Sequence, residues 1–303
     1  MCAELKENYE WALNFLKTLY SPTCLPTVIV TDNELALIIF PNAKRLQCTW
    51  HIQKNAYSKF LAATTKEKIE LENDWGRVIR SETVTLFDMA LDSFVQKYDE
   101  RYPEAIKYIH ETVLANKEYF AYAWTNEIRY YGIRTTNRVE GAHNIFKQYL
   151  ENSRGGFIEC WKHMHNMFRS HLVVIKAAFQ KSINFRKHEH NIAEFRGLHH
   201  HVSQYALDKI CLQLARLKKM RSMCEIFCGC ILWKTYGLPC AHMLLQYRSQ
   251  GMPIPLSAID SQWRQLNLVP PIGNEVAFDY LPQVEILKNK WVDFTEVEKL
   301  KVT

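Results

Sequence analysis

Three cysteines and a histidine form the tightest chemical constellation in the chain: Cys228-Gly229-Cys230, nine residues, then Cys240-Ala241-His242. Three thiolates and an imidazole are the donor complement of a tetrahedral structural Zn²⁺, and four protein ligands leave no open position for water or substrate. Ile231 to Tyr236 reads as a strand, and Gly237-Leu238-Pro239 as the turn that returns Cys240 to the first pair. A short helix is expected from Met243 to Tyr247. The alternative is a set of buried cysteines acting as small hydrophobes beside a hydrogen-bonded histidine. Four donors flanking one turn favour zinc, and with that set complete, Cys211 and Cys224 read as buried thiols.

A second group is more scattered. Asp32 ends the apolar run Thr27-Val28-Ile29-Val30-Thr31, the place where an α/β sheet presents ligands. It also fits a helix start, since Thr31-x-x-Glu34 matches a capping box. Glu140 shares that ambiguity, with Asn137 as N-cap and Glu140 three residues on. Cys48 and His51 stand at i and i+3, which one turn juxtaposes, either as an accessory metal pair or as a packed thiol beside a hydrogen-bonded histidine. Arg216, Lys218, Lys219 and Arg221 cluster before the cysteines, and Arg134 with Arg138 precede Glu140. These suit phosphate contacts or a solvated helix face. His188, His190 and His199 to His201 read as surface residues.

The elements that must position these groups follow from periodicity. Leu5, Tyr9, Ala12, Leu13, Leu16, Leu19 and Tyr20 recur at helical spacing, followed by a strand at 27–30. Glu34 to Phe40 predicts a brief helix ending at Pro41, and Ala43 to Gln47 a second strand that delivers Cys48. Helix, strand, helix, strand is the rhythm of an α/β sheet. Residues 52–130 are mostly helical in period, with Leu86, Met89, Ala90, Phe94 and Val95 on one stripe. A helix from Asn137 precedes a break at Gly155-Gly156, and Phe157 to about Leu217 continues as helix. Beyond Pro253 and Pro255 the periodicity is weak and no function is assigned.

The chain has 303 residues, 48% hydrophobic and 13% aromatic, enough apolar surface for a folded core. A net charge of +6 suits an anionic partner. Its opening is charged, and apolar runs such as Val28 to Val30 are too short to cross a bilayer, so a soluble protein with no membrane partner is expected. Four of the nine cysteines fall between Cys224 and Cys240, a bunching that suggests metal in a reducing compartment.

Cys228-Gly229-Cys230 with Gly237-Leu238-Pro239-Cys240-Ala241-His242 resembles the SWIM-type zinc finger of Mutator-like (MULE) transposases and of transcription factors descended from them. Three further strings, in order, resemble the MULE transposase domain: 28–37 around Asp32, 40–55 around Cys48 and His51, and 135–143 around Glu140. The resemblance covers most of residues 1–247. It implies an RNase H-like fold in which Asp32 is the second and Glu140 the third of three catalytic acids, with Cys48 and His51 as the intervening Cys-x-x-His. The implied layout is a partial transposase domain over 1–152 with a helical insertion at about 52–130. A helical connection over 153–220, the zinc finger at 221–247 and a C-terminal tail at 248–303 complete it. The family's first aspartate sits on an earlier strand, and this chain has no Asp before Asp32. The segment Leu35 to Pro41 is also shorter than its relatives by about two helical turns. Two-metal chemistry needs carboxylates holding two cations about 4 Å apart, so the set reads as incomplete at its N-terminal side.

The resulting expectation is a transposon-derived α/β protein with large helical content, containing one structural Zn²⁺ in a β-hairpin/helix module. It would bind DNA or protein partners in the nucleus without catalysis. The alternatives are a fragment of an active DNA transposase, which would use Mg²⁺ or Mn²⁺, and a domesticated transcription regulator.

Overall fold

The computed structural model describes residues 6–20, 25–32, 39–150, 157–217 and 230–268. The chain is α/β and mostly helical. Helix α1 (Lys6–Thr18) precedes the parallel pair β1 (Val28–Thr31) and β2 (Lys44–Gln47), registered Val28 to Lys44 and Thr31 to Gln47. The ladder runs one step past its last pair, with Cys48 N–H donating to the Thr31 carbonyl at 2.9 Å. Asp32 and Cys48 therefore leave the carboxyl ends of two adjacent strands. The expected helix between them lies largely outside the described residues, and the 155–156 break lies wholly outside.

Five helices follow: α2 (Thr49–Tyr57), α3 (Thr65–Ile79), α4 (Val84–Tyr98), α5 (Pro103–Tyr108) and α6 (Tyr122–Thr125). They close on an aromatic core in which Phe60, Trp75, Phe87, Phe94 and Phe120 are all at most 2% exposed. Phe60 sits edge-on to Phe94, Tyr98 and Tyr102, the arrangement aromatic quadrupoles favour. Helix α3 starts with a full capping box: Glu67 N–H donates to Thr64 Oγ1 and Thr64 N–H to Glu67 Oε2. Thr64→Ala is expected to lower stability by about 1 kcal/mol in a urea titration; an unchanged midpoint would show that the cap adds nothing.

Helix α7 (Asn137–Tyr149) leads to α8 (Phe157–Asn184), whose central Leu172, Val173, Val174 and Ile175 are exposed. The expected continuous helix to Leu217 is instead interrupted by short 3₁₀ turns before α9 (Gln204–Leu217). His190 and His199, read from the sequence as surface residues, are buried here. His190 Nε2 lies 2.8 Å from Asp208, which Lys187 also grips at 2.8 Å.

Two short helices, α10 (Ile231–Tyr236) and α11 (Ala241–Ser249), pack with α9 around a second core of Phe195, Leu198, Ile210, Leu238 and Leu244. The segment 254–264, assigned no role from sequence, contributes Ile254, Ala258 and Ile259 to that core and ends in α12 (Ser261–Arg264). The expected strand and hairpin at 231–236 are corrected: the segment is helical. Its β-branched and aromatic content suggested a strand, but Cys230 enters in extended geometry and Gly237 caps the far end at φ +65°. Leu232 and Tyr236 face the second core while Trp233 faces Arg129, a division that needs helical spacing. Among the described residues no helix is long and apolar enough to cross a membrane.

Candidate functional site

Asp32, Cys48, His51 and Glu140, scattered over 109 positions of sequence, meet in one cluster. Asp32 and Cys48 come from the strand ends, His51 from the first turn of α2, and Glu140 from α7. His51 Nδ1 lies 2.7 Å from Asp32 Oδ1, and His51 Nε2 lies 3.6 Å from Glu140 Oε1. The imidazole is thus held between two carboxylates, one on each nitrogen. Cys48 is fully buried, whereas Asp32 is half-exposed, so the cluster has a closed floor and an open side.

At its centre is Thr136, which sequence reasoning missed. Its hydroxyl donates to Glu140 Oε1 at 2.8 Å and lies 3.4 Å from each of Asp32 Oδ1, Cys48 Sγ and His51 Nδ1. Its backbone N–H donates to Cys48 Sγ at 3.3 Å. The expected cap at Asn137 is corrected: Thr136 is the N-cap of α7, and its side chain turns into the cluster rather than to the helix N–H groups. The only available hint was a hydroxyl residue four positions before a glutamate, a pattern too common to stand out.

Thr136 is carried by a strap, residues 129–136, that also bonds to α10, the helix that follows Cys230. Arg129 donates to the Trp233 and Lys234 carbonyls of α10 and pairs with Asp260 at 2.7 Å. Tyr131 N–H donates to the Thr235 carbonyl at 2.9 Å. Burial raises the Tyr131 phenol pKa, reinforced by Asp260, so it stays a donor to that carboxylate at neutral pH. Tyr131 and Gly132 are both left-handed (φ +52° and +84°), and the resulting bend sends the chain back towards α2. There the Arg134 carbonyl accepts from Thr49 N–H. Arg134, offered from sequence as a phosphate contact, is buried: its guanidinium stacks on Tyr122 and Tyr130 and donates to Thr125 and Asn126. That correction follows from the guanidinium being enclosed by two aromatic rings and turned inward to Thr125 and Asn126, which leaves it no access to a phosphate.

Of the expected zinc ligands, Cys228 lies outside the described residues, and the other three are brought together. Cys230 comes from the residue before α10, Cys240 from the residue before α11, and His242 from the first turn of α11. Their donor atoms all lie within 4.8 Å of one another, with Cys230 Sγ and His242 Nδ1 3.2 Å apart. Tetrahedral zinc with N and S donors sets such atoms about 3.5 Å apart, so this set fits the ion. Cys230 is also disulfide-bonded in this structure. A sulfur cannot be disulfide and metal thiolate at once, so this ligand set applies to the reduced chain.

Arg138 is exposed on α7, and Arg216 is exposed at the end of α9, while Lys218, Lys219 and Arg221 lie outside the described residues. Comparison of the chain with protein-family models, with curated proteins and with solved structures finds no match in any of the three.

Proposed function

We propose that this chain is a derivative of a Mutator-like transposase that binds DNA without cutting it, with an RNase H-like core serving as scaffold and a SWIM-type zinc site supporting its C-terminal half. The observation that carries the reading is the meeting of Asp32, Cys48, His51 and Glu140 at the carboxyl ends of two parallel strands. Those are the residues, in the order, that the resemblance singles out. Among the described residues, two carboxylates form the cluster, and both are already engaged by His51 and Thr136. In-line phosphoryl transfer needs a bridging acid between two cations, which this pair does not supply. Zn²⁺ at Cys228, Cys230, Cys240 and His242 would be structural, without a role in chemistry. A basic chain whose partner is DNA belongs in the nucleus, and protein partners would come through the same surfaces.

The test incubates reduced, purified chain with duplex DNA carrying candidate terminal repeats, with Mg²⁺ or Mn²⁺. Binding without strand cleavage is expected, and the log of the association constant should fall against log salt by about 0.9 for each phosphate neutralised. Cleavage that disappears in both Asp32→Ala and Glu140→Ala would establish an enzyme instead. Binding insensitive to salt would remove DNA as the partner.

A further inference from the structure

We propose that the reduced chain holds a second transition-metal ion, Zn²⁺, with Cys48, His51 and Asp32 as ligands and Thr136 at the fourth vertex. Asp32 Oδ1, Cys48 Sγ and His51 Nδ1 all lie within 4.8 Å of one another, and Thr136 Oγ1 stands 3.4 Å from each of them. A tetrahedral zinc with bonds of about 2.0–2.3 Å has donor atoms about 3.3–3.6 Å apart, which is the spacing that Thr136 shows to all three.

Two carboxylates, a sulfur and an imidazole nitrogen surround a hydroxyl with one hydrogen, and that hydrogen goes to Glu140 at 2.8 Å. When the ion binds, it replaces the proton between Asp32 and His51, and their 2.7 Å contact opens by about 0.6 Å to the vertex spacing. Asp32 is half-exposed and free of core packing, so that movement is available.

The surroundings also suit a metal site. The backbone N–H of Thr136 donates to Cys48 Sγ at 3.3 Å, which steadies a thiolate. His51 turns its other nitrogen towards Glu140 at 3.6 Å, the outer carboxylate that metal-bound imidazoles use to fix their orientation. A thiolate and an imidazole select zinc over Mg²⁺, which takes oxygen donors. The inference does not rest on the ancestry proposed above, since it uses only these distances. It revises the expectation of one zinc per chain to two.

Metal analysis of the full chain purified under reducing conditions should give two zinc ions, falling to one in Asp32→Asn. Cobalt(II) is the probe for ligand identity, added to the metal-free reduced chain after one equivalent of zinc has filled the tighter three-cysteine site, so that the first site stays closed. One equivalent should bind with a thiolate-to-cobalt charge-transfer band that is lost on Cys48→Ser, His51→Asn or Asp32→Asn substitution. Glu140→Gln should keep the band but weaken affinity by about 10–100-fold, a change that a merely structural glutamate would not cause. Circular dichroism compares the fold of each variant, and the half-exposed Asp32 provides a loss that does not touch the buried core. A wild-type chain with one zinc that Asp32→Asn leaves in place would overturn the proposal. So would a cobalt spectrum indifferent to His51 and Asp32, and DNA binding is read separately from both.

Discussion

Stripping zinc from the reduced chain, or replacing Cys240 with Ser, is expected to open residues 230–260 and the strap 129–136 to amide exchange while the core around Trp75 stays protected. Structural zinc sites contribute apparent binding energies of about 10–16 kcal/mol, most of it appearing as folding energy. The elements around this site have little else to hold them. Helices α10 and α11 have six and nine residues, below the length at which helices persist alone. Sequence reading confines the effect to 221–247, but the structure extends it at both ends. Arg129 and Tyr131 are bonded to α10, and Asp260 binds both of them. The aromatic core around Phe60 and Trp75 shares no member with the second core, so it should keep its protection. Exchange measured with and without chelator in reducing buffer decides the matter. Uniform loss of protection would show one cooperative unit, and no change at 230–260 would show that the metal is not what holds that region.

Gly132→Ala is expected to destabilise the chain by about 2–5 kcal/mol. A residue with a Cβ pays about 1–2 kcal/mol for the left-handed conformation that Gly132 adopts at φ +84°. The added methyl would also come 2.2 Å from Tyr236 Oη, too close for any real contact. Tyr236 cannot simply yield, because it stacks on Trp263 and packs in the second core. Such overpacking costs about 1–3 kcal/mol. Gly141 supplies the control: it lies inside α7 with nothing within 4 Å of its added Cβ. Gly141→Ala should be neutral or stabilising by up to about 1 kcal/mol. Equal denaturant midpoints for the two variants would refute the argument from backbone strain.

Much of the cluster was legible because its members are chemically loud and follow apolar runs. Val28-Ile29-Val30 and the run before Cys48 form the parallel pair, and acids or thiols at strand ends invite attention. Thr136 was not legible. A hydroxyl residue before a helix is an ordinary cap, and only the fold reveals that it faces four other polar groups. Arg134 misled for the opposite reason, since a cation near an acid suggests a ligand site until its aromatic cage is seen. Ile231 to Tyr236 carries strand propensity, yet the cap at Gly237 and the two faces presented to different neighbours decide for helix. Intrinsic preference of six residues is too weak to outweigh that packing. The role of 254–264 was hidden because its apolar residues follow no regular period across its prolines.

The strap also has a consequence for the order in which the molecule assembles. The aromatic core draws on residues 56–121, so its contacts close over short stretches of chain. The bonds that the strap makes span far more: Thr136 to Asp32 bridges 104 positions, and Arg129 to Asp260 bridges 131. Closing long loops costs entropy before their contacts return any, so local structure generally forms first. The helical block is therefore expected to fold early and to carry the strap to two incoming partners. The cluster around Thr136 and the Arg129–Tyr131–Asp260 contacts are therefore expected to form late, completed from opposite ends of the chain.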